Sequence, residues 1–340
     1  MIVRPATAGG GALGGAPAAK APSPPRRRAV EEVTLSIVVC TYQRPTLLEG
    51  CLHSCLQQSV PANTAYEIIV IDNDPAGAAL PVVTALGLAS EPRLRYVQEP
   101  VANIASARNR GVEEARGELI AFIDDDFVVP EAWLSTVVRL MQDDRIDVLL
   151  GDVRPIFEGG GATRGVTRAF TRHAPEVNGV VQVGRDGYTP GARSGNAVLR
   201  RKTCFADGQV RFDPTFGRSG GEDSEFFMRL GRRRPRIIAS AEAYVLDFVP
   251  IERQFEAYVV RRACREGRSY RRLMRKNAPR PRLKAADLAV RGLLQAARTT
   301  LLLAAAPGLS PERRLDLRIR RGLALGKAGL AGAPRPGPYR

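Results

Sequence analysis

The sequence predicts an α/β fold: a mostly parallel central sheet with helices on both faces, followed by basic amphipathic helices. Three observations carry this. Short apolar runs typical of buried strands recur between residues 35 and 150, and most are followed by a helical pattern. Several of these runs end in polar loops, at the strand ends where open α/β sheets bind their ligands. Beyond Pro250 the pattern changes to helical spacing laced with arginine.

The elements follow in order. Residues 1–33 are rich in Gly, Ala and Pro and close on Arg26, Arg27 and Arg28, so they bury too little to order themselves and read as a disordered basic tail. Residues 35–40 (LSIVVC) form the first strand and 41–45 a loop. A helix over 46–58 carries Leu47, Leu48, Leu52 and Leu56 on helical spacing. Residues 66–71 form the second strand, with the loop Asp72, Asn73, Asp74 and Pro75 after it. A third strand covers 93–97, a helix 104–115, and a fourth strand 118–123 runs into Asp124, Asp125 and Asp126. A helix over 131–142 and a strand over 146–150 complete this half. Residues 158–190 are Gly-rich and weakly periodic, the pattern of a mobile loop or lid. A strand over 196–200, a helix over 222–232 and a strand within 236–249 follow. The domains expected are the α/β domain over 34–250, a helical region over 251–330 and a disordered tail over 331–340.

Composition bounds the function. A chain of 340 residues with 44% hydrophobic content can bury a sizeable core. A net charge of +16 favours anionic partners. The five cysteines include no CxxC pair, which argues against a disulfide framework or zinc site and for the reducing cytoplasm. The amino terminus lacks an apolar signal-peptide core. The best candidate for a membrane span, 289–306, is interrupted by Arg291, Gln295 and Arg298, so no span of clean transmembrane length is expected.

Three adjacent carboxylates at a strand end repel one another and call for compensation. Asp124–Asp126 read either as a capping turn before the next helix or as a site for Mn²⁺ or Mg²⁺. No Walker A loop or GxGxxG turn follows any strand, so a P-loop or Rossmann site is not supported. A carboxylate-held cation neutralising a diphosphate is the remaining route to a nucleotide. Thr41, Asp72 and Asp124 each stand at a strand's carboxyl end, so three loops converge on one crevice.

Five segments in this order resemble glycosyltransferase family 2, with its GT-A nucleotide-diphospho-sugar transferase fold. They are SIVVCTYQRPTLLEGCLHSCLQQ, EIIVIDNDPAG, VANIASARNRGVEEARGELIAFIDDD, SGNAVLRR and GEDSEFFMRLGRR. The phrasing FIDDDFVVPEAWL and the GED helix are most like bacterial exopolysaccharide transferases of the succinoglycan glucosyltransferase type. The resemblance covers roughly residues 34–270.

It implies a role for each matching residue. Thr41, Tyr42 and Arg44 would line the nucleotide loop, Asp72 would read the uracil edge and Arg108 would contact the nucleotide side. Asp124 and Asp126 fit the two acids of the DxD motif, holding ribose and metal, and Asp125 could share either role. Asn196 falls in the 191–196 stretch that shapes the sugar pocket. Asp223, beside Glu222 in the GED motif, would act as general base on the acceptor hydroxyl; a plain acidic helix cap is the structural alternative. Tyr42 could simply pack, Arg108 could pair with Glu113 or Glu114, and Asp72 could serve only its turn. Where the family often has His, this chain has Asp247, which could ligate the metal or pair with Arg253. Arg253 could hold the diphosphate or remain solvated. No QxxRW motif appears, which favours single addition over processive synthesis.

In the carboxyl-terminal region arginines flank apolar helical faces. That suits a helix lying on an anionic membrane surface first, a helical cap second and nucleic acid last, since stacking aromatics are sparse. The expectation is an inverting transferase moving one sugar from a nucleotide-sugar donor, a UDP-hexose, to a saccharide acceptor linked to polyprenyl diphosphate, in exopolysaccharide or other surface-glycan synthesis. It would sit in the cytoplasm, peripheral to the inner face of the plasma membrane. The alternative is a non-catalytic binder of acidic polymers or nucleic acid on the same fold.

Overall fold

The computed structural model describes residues 33–330 apart from 88, 173–178, 190, 207, 209 and 307. The tails expected at 1–33 and 331–340 lie outside the described residues, Val33 excepted, and so does part of the expected lid.

The first half alternates as expected: β1 (Leu35–Thr41), α1 (Pro45–Leu56), β2 (Tyr66–Asp72), α2 (Leu80–Ala85), β3 (Leu94–Gln98), α3 (Ile104–Glu114), β4 (Leu119–Asp124), β5 (Phe127–Val128) and α4 (Trp133–Leu140). The second half holds β6 (Val148–Phe157), α5 (Arg164–Phe170), β7 (Ala197–Arg200), α6 (Arg201–Cys204), α7 (Pro214–Gly217), α8 (Glu222–Gly231) and β8 (Ile237–Val249). Three long helices close the chain: α9 (Glu256–Lys276), α10 (Pro281–Ala305) and α11 (Pro311–Ala328).

The eight strands form one sheet in the order β3-β2-β1-β4-β7-β6-β8-β5. It is parallel from β3 to β4 and between β6 and β8, while β7 runs antiparallel to both its neighbours and β5 antiparallel to β8. Alternation along β1 divides the core. Leu35, Ile37 and Val39 pack with α1, α2 and α4 on one face, and Val38 packs with α3 and α8 on the other. In register, Thr41 stands beside Asp72 and Cys40 beside Asp124, so the expected convergence at the strand ends is met.

The 158–190 segment is more ordered at its start than its composition suggested. Val166 and Phe170, one helical turn apart on α5, bury against Val249, Val259 and Leu315. That i, i+4 pair was the signal among the glycines.

The last three helices pack through small residues. Gly267 of α9 meets the α11 backbone at Leu323 and Gly326, and Gly326 meets Cys264. A methyl group at Gly326 would overlap the Cys264 carbonyl. Gly326→Ala should therefore lower the melting temperature, by about 1–3 kcal/mol of overpacking, although helix propensity alone would favour Ala by about 1 kcal/mol. A thermal melt showing stabilisation would mean that α9 and α11 are not in close contact.

Helix α10 corrects one expectation. By length and composition it is apolar enough to cross a membrane, because arginine is too sparse along it to break the apolar stretch. Its inner face (Leu288, Gly292, Ala296, Thr299) is buried, with Gly292 set against Ala324 and Ala328 of α11. Outward, Val290, Leu294 and Leu301 are 57%, 66% and 69% exposed.

Candidate active site

The crevice is built from the loops at the carboxyl ends of β1, β2 and β4, the turn into β5, the end of β8 and the start of α8. Each acid of the 124–126 run has its own partners. Asp125 is buried and points to the β1 loop: its Oδ2 accepts from Thr41 Oγ1 at 2.8 Å and its Oδ1 from Arg44 Nη1 at 3.0 Å. Burial pushes the Asp125 carboxyl up to about 6, with Arg44 opposing. Asp126 Oδ2 takes two guanidiniums, Arg253 at 3.3 Å and Arg44 at 3.4 Å. Asp124 meets Arg108 at 3.7 Å, and desolvation raises its carboxyl, with Arg108 again opposing. Gly195 lies directly against the Asp124 carboxylate, where any side chain would overlap Oδ2.

The pairing of β5 with β8 sets Phe127 opposite Asp247, and Phe248 donates its backbone N–H to Asp126 O at 3.0 Å. Asp247 therefore stands beside the acidic run. Its carboxyl is pushed up to about 6, by burial first and by Asp126 next. Its ion pair is with Arg172 at 3.4 Å, not with Arg253, which is taken up by Asp126. Among the described residues no three His, Cys, Asp or Glu side chains form a ready metal cage. The oxygen-only donor set matches what a hard divalent cation takes when it binds one or two carboxylates and completes its shell with substrate phosphates.

Arg108 is buried on α3 and joins the two halves of the site. Its Nη1 donates to Glu222 Oε1 at 2.5 Å, while its Nη2 faces Asp124. Burial would lower its pKa, but Glu222 and Asp124 outweigh that and hold it above its usual range. Neither Glu113 nor Glu114 is its partner: Glu113 pairs with Arg211, and Glu114 with Arg95 and Arg110. Glu222 is itself raised by burial, against the pull of Arg108. Asp223 Oδ1 accepts from Ser224 N at 2.7 Å and lies 3.8 Å from Arg193.

Two expected donor contacts sit differently. Asp72 accepts from Asp74 N, Ala79 N and Tyr96 Oη, so its turn role is real, yet two oxygens offer about four acceptor positions and one remains. Asn196 adopts a left-handed φ of 62° and is buried. Its Oδ1 accepts from Trp133 Nε1, and its Nδ2 donates to the Asp152 and Ala243 carbonyls. This amide locks the β7 turn rather than facing the crevice. Tyr42 is half-buried beside Thr41. Sequence reasoning missed Arg172 and Arg193. Arg193 adjoins the SGN motif, which could have flagged it; Arg172 carries no such signal.

The family model of glycosyl transferase family 2 matches residues 36–207. The chain is a member of glycosyltransferase family 2. It is 30% identical to the succinoglycan biosynthesis protein ExoM of Rhizobium meliloti (strain 1021), over 88% of this chain and 94% of that protein. Among solved structures it resembles the mannosyltransferase PcManGT of Pyrobaculum calidifontis in complex with GDP-Man and Mn²⁺, at TM-score 0.55 and 18% identity, covering 86% of each chain. It also resembles residues 1–349 of S. aureus TarS in complex with UDP, at TM-score 0.52 and 16% identity, covering 87% of this chain and 90% of that one. The fold of this family 2 chain is GT-A, and among its relatives are exopolysaccharide synthesis proteins.

Proposed function

We propose that this family 2 glycosyltransferase moves one sugar from a nucleotide-diphosphate donor, a UDP-hexose, to a hydroxyl of a lipid-linked saccharide, with inversion at the anomeric carbon. The observation that carries the reading is the Arg108 bridge, which ties an acid of the DxD run to the acid pair of α8. Donor activation and acceptor deprotonation are thereby held in one rigid unit.

Asp124 and Asp126 would hold Mn²⁺ or Mg²⁺, with Asp247 as third ligand. When bound, that ion neutralises charge on the departing diphosphate. Thr41, Tyr42, Arg44 and Asp72 form the nucleotide end, with Asp125 fixing Thr41 and Arg44 in place. Arg253 stands ready to meet a diphosphate oxygen from its place on Asp126. Asp223 takes the acceptor proton as the new glycosidic bond forms, and one displacement of this kind inverts the centre. A donor screen with purified protein, Mn²⁺ and a lipid extract tests the reading, and transfer of no sugar from any nucleotide donor would refute it.

A lipid-linked acceptor is supported by α10. Its exposed stripe of Val290, Leu294 and Leu301 runs beside Arg291 and Arg298, while the opposite face is occupied by α11. A helix held so on one side suits the plane of the interface at the cytoplasmic leaflet. Each arginine near an anionic surface adds about 1 kcal/mol, screened by salt. The protein should float with anionic liposomes, less so at high salt and much less with neutral ones. Leu294→Gln with Leu301→Gln should weaken flotation. Equal flotation with neutral vesicles would leave hydrophobic anchoring alone.

A further inference from the structure

A cavity of about 210 Å³ lies between α5, α9 and α11, away from the nucleotide loops. Its polar lining is Arg168, Arg262, Glu266, Glu312 and Asp316, with Ala169, Val259 and Ile319 among the apolar walls.

The course of α9 relates this cavity to the reacting groups. Near its start Val259 packs on Val249, two residues after Asp247. Further along, Ser269 Oγ donates to the Gly220 carbonyl at 3.4 Å, just before Glu222 and Asp223. Arg262 and Glu266 fall between these anchors and pair with each other at 3.3 Å. The two residues thus line the cavity from the stretch of α9 that lies between its contacts with the β8 end and with the turn before α8. The electrostatics agree. Arg262 is lowered by burial, raised by Glu266 and lowered by Arg172, the partner of Asp247. Arg193 is raised by Asp223 first, and Glu266 adds to that.

The lining also states what the cavity prefers. Two guanidiniums stand against three carboxylates, of which Asp316 also pairs with Arg320 at 2.9 Å, so the lining holds no surplus of positive charge for a diphosphate. A neutral saccharide would find donors and acceptors for its hydroxyls, and the rings of Phe170 and Tyr258, stacked on each other, lie close by, under Arg262 and Arg265. We propose that the cavity between α5, α9 and α11 is the acceptor subsite, holding a neutral sugar next to the one whose hydroxyl reaches Asp223. This rests on the transferase reading above and adds the place and charge of the acceptor.

The test uses the full chain with UDP and Mg²⁺. Saturation-transfer NMR is run with methyl glucoside, cellobiose, lactose and gentiobiose, and with inorganic pyrophosphate as the anionic competitor. At least one of the sugars should give a signal. Ala169→Leu, which fills the cavity, should weaken that binding at least tenfold, as an order-of-magnitude expectation from lost shape complementarity. Asp316→Asn should weaken it roughly threefold, the scale of one hydrogen bond. UDP affinity by calorimetry should be unchanged in both variants, and pyrophosphate should not displace the sugar. No sugar binding, binding retained in both variants, or displacement by pyrophosphate would overturn the proposal. If Ala169→Leu fails to fold by thermal melt, Asp316→Asn decides alone. Failure of the wild-type protein to bind UDP would count against the donor reading instead, and that measurement is separate.

Discussion

Asp126→Ala is expected to abolish the metal dependence of UDP binding while leaving the fold intact. Asp126 sits in the turn after β4, and its structural bond to β8 is made by its backbone carbonyl, which the substitution keeps. Its carboxylate is what changes. In the wild type it compensates Arg44 and Arg253 together. A cation on that carboxylate would release Arg253 toward the diphosphate while Arg44 stays on Asp125, so metal and nucleotide should bind cooperatively. Without the carboxylate Arg253 loses this partner in advance, Arg44 stays on Asp125, and the cation has lost a ligand. Affinity for UDP in Mn²⁺ should fall roughly 100-fold, about 2.7 kcal/mol, and should no longer respond to chelation. Calorimetry in which Mn²⁺ still strengthens UDP binding to the variant would refute the role.

The same site predicts a pH dependence. The Asp247 carboxyl is pushed up to about 6, chiefly by burial. It therefore takes up a proton as pH falls through about 6, where an ordinary carboxylate would stay charged. A protonated Asp247 offers the cation less, so Mn²⁺ affinity should drop between pH 7 and pH 5 in the wild type. It should drop less in Asp247→Asn, which cannot titrate there. Equal pH profiles would remove Asp247 from the ligand set.

Much of this was legible in the sequence, for definite physical reasons. Strands buried on both faces are written as continuous apolar runs such as Leu35–Thr41, and the polar residues that stop them mark the sheet edge. That places Thr41, Asp72 and Asp124 without any knowledge of packing. The pairing of charges was not legible. Arg172 with Asp247 and Arg193 with Asp223 join segments far apart in sequence, and no periodicity records such contacts. The bonds of Asn196 were hidden for a related reason. Its motif points to the sugar pocket, but the left-handed turn and the three bonds of its amide emerge only where the β7 turn meets α4, β6 and β8. The α10 reading missed because Arg291 and Arg298 look like interruptions in a linear string, whereas on the helix the outward stripe of Val290, Leu294 and Leu301 runs past them unbroken.

Asp223→Asn should retain donor binding and lose transfer by at least roughly 100-fold, the scale of a missing general base. The two acids at the start of α8 are not equivalent. Glu222 is buried and committed to Arg108 at 2.5 Å, which suits it to hold Arg108 against Asp124 rather than to meet a hydroxyl. Asp223 makes its bonds to Ser224 through Oδ1, and Arg193 approaches that same oxygen. Among the described residues these contacts all fall on Oδ1, which leaves Oδ2 to take the acceptor proton in this reading. Asparagine keeps the shape and an acceptor for Ser224 N but cannot take the proton at neutral pH. Glu222→Gln should behave differently. It weakens the link through Arg108, so it should disturb UDP binding and transfer together. Single-turnover transfer measured beside UDP calorimetry separates the two patterns. Near-normal turnover in Asp223→Asn, with loss confined to Glu222→Gln, would move the base to Glu222 and leave Asp223 as an acid of the first turn of α8, whose N-cap is Gly221 rather than an acidic residue.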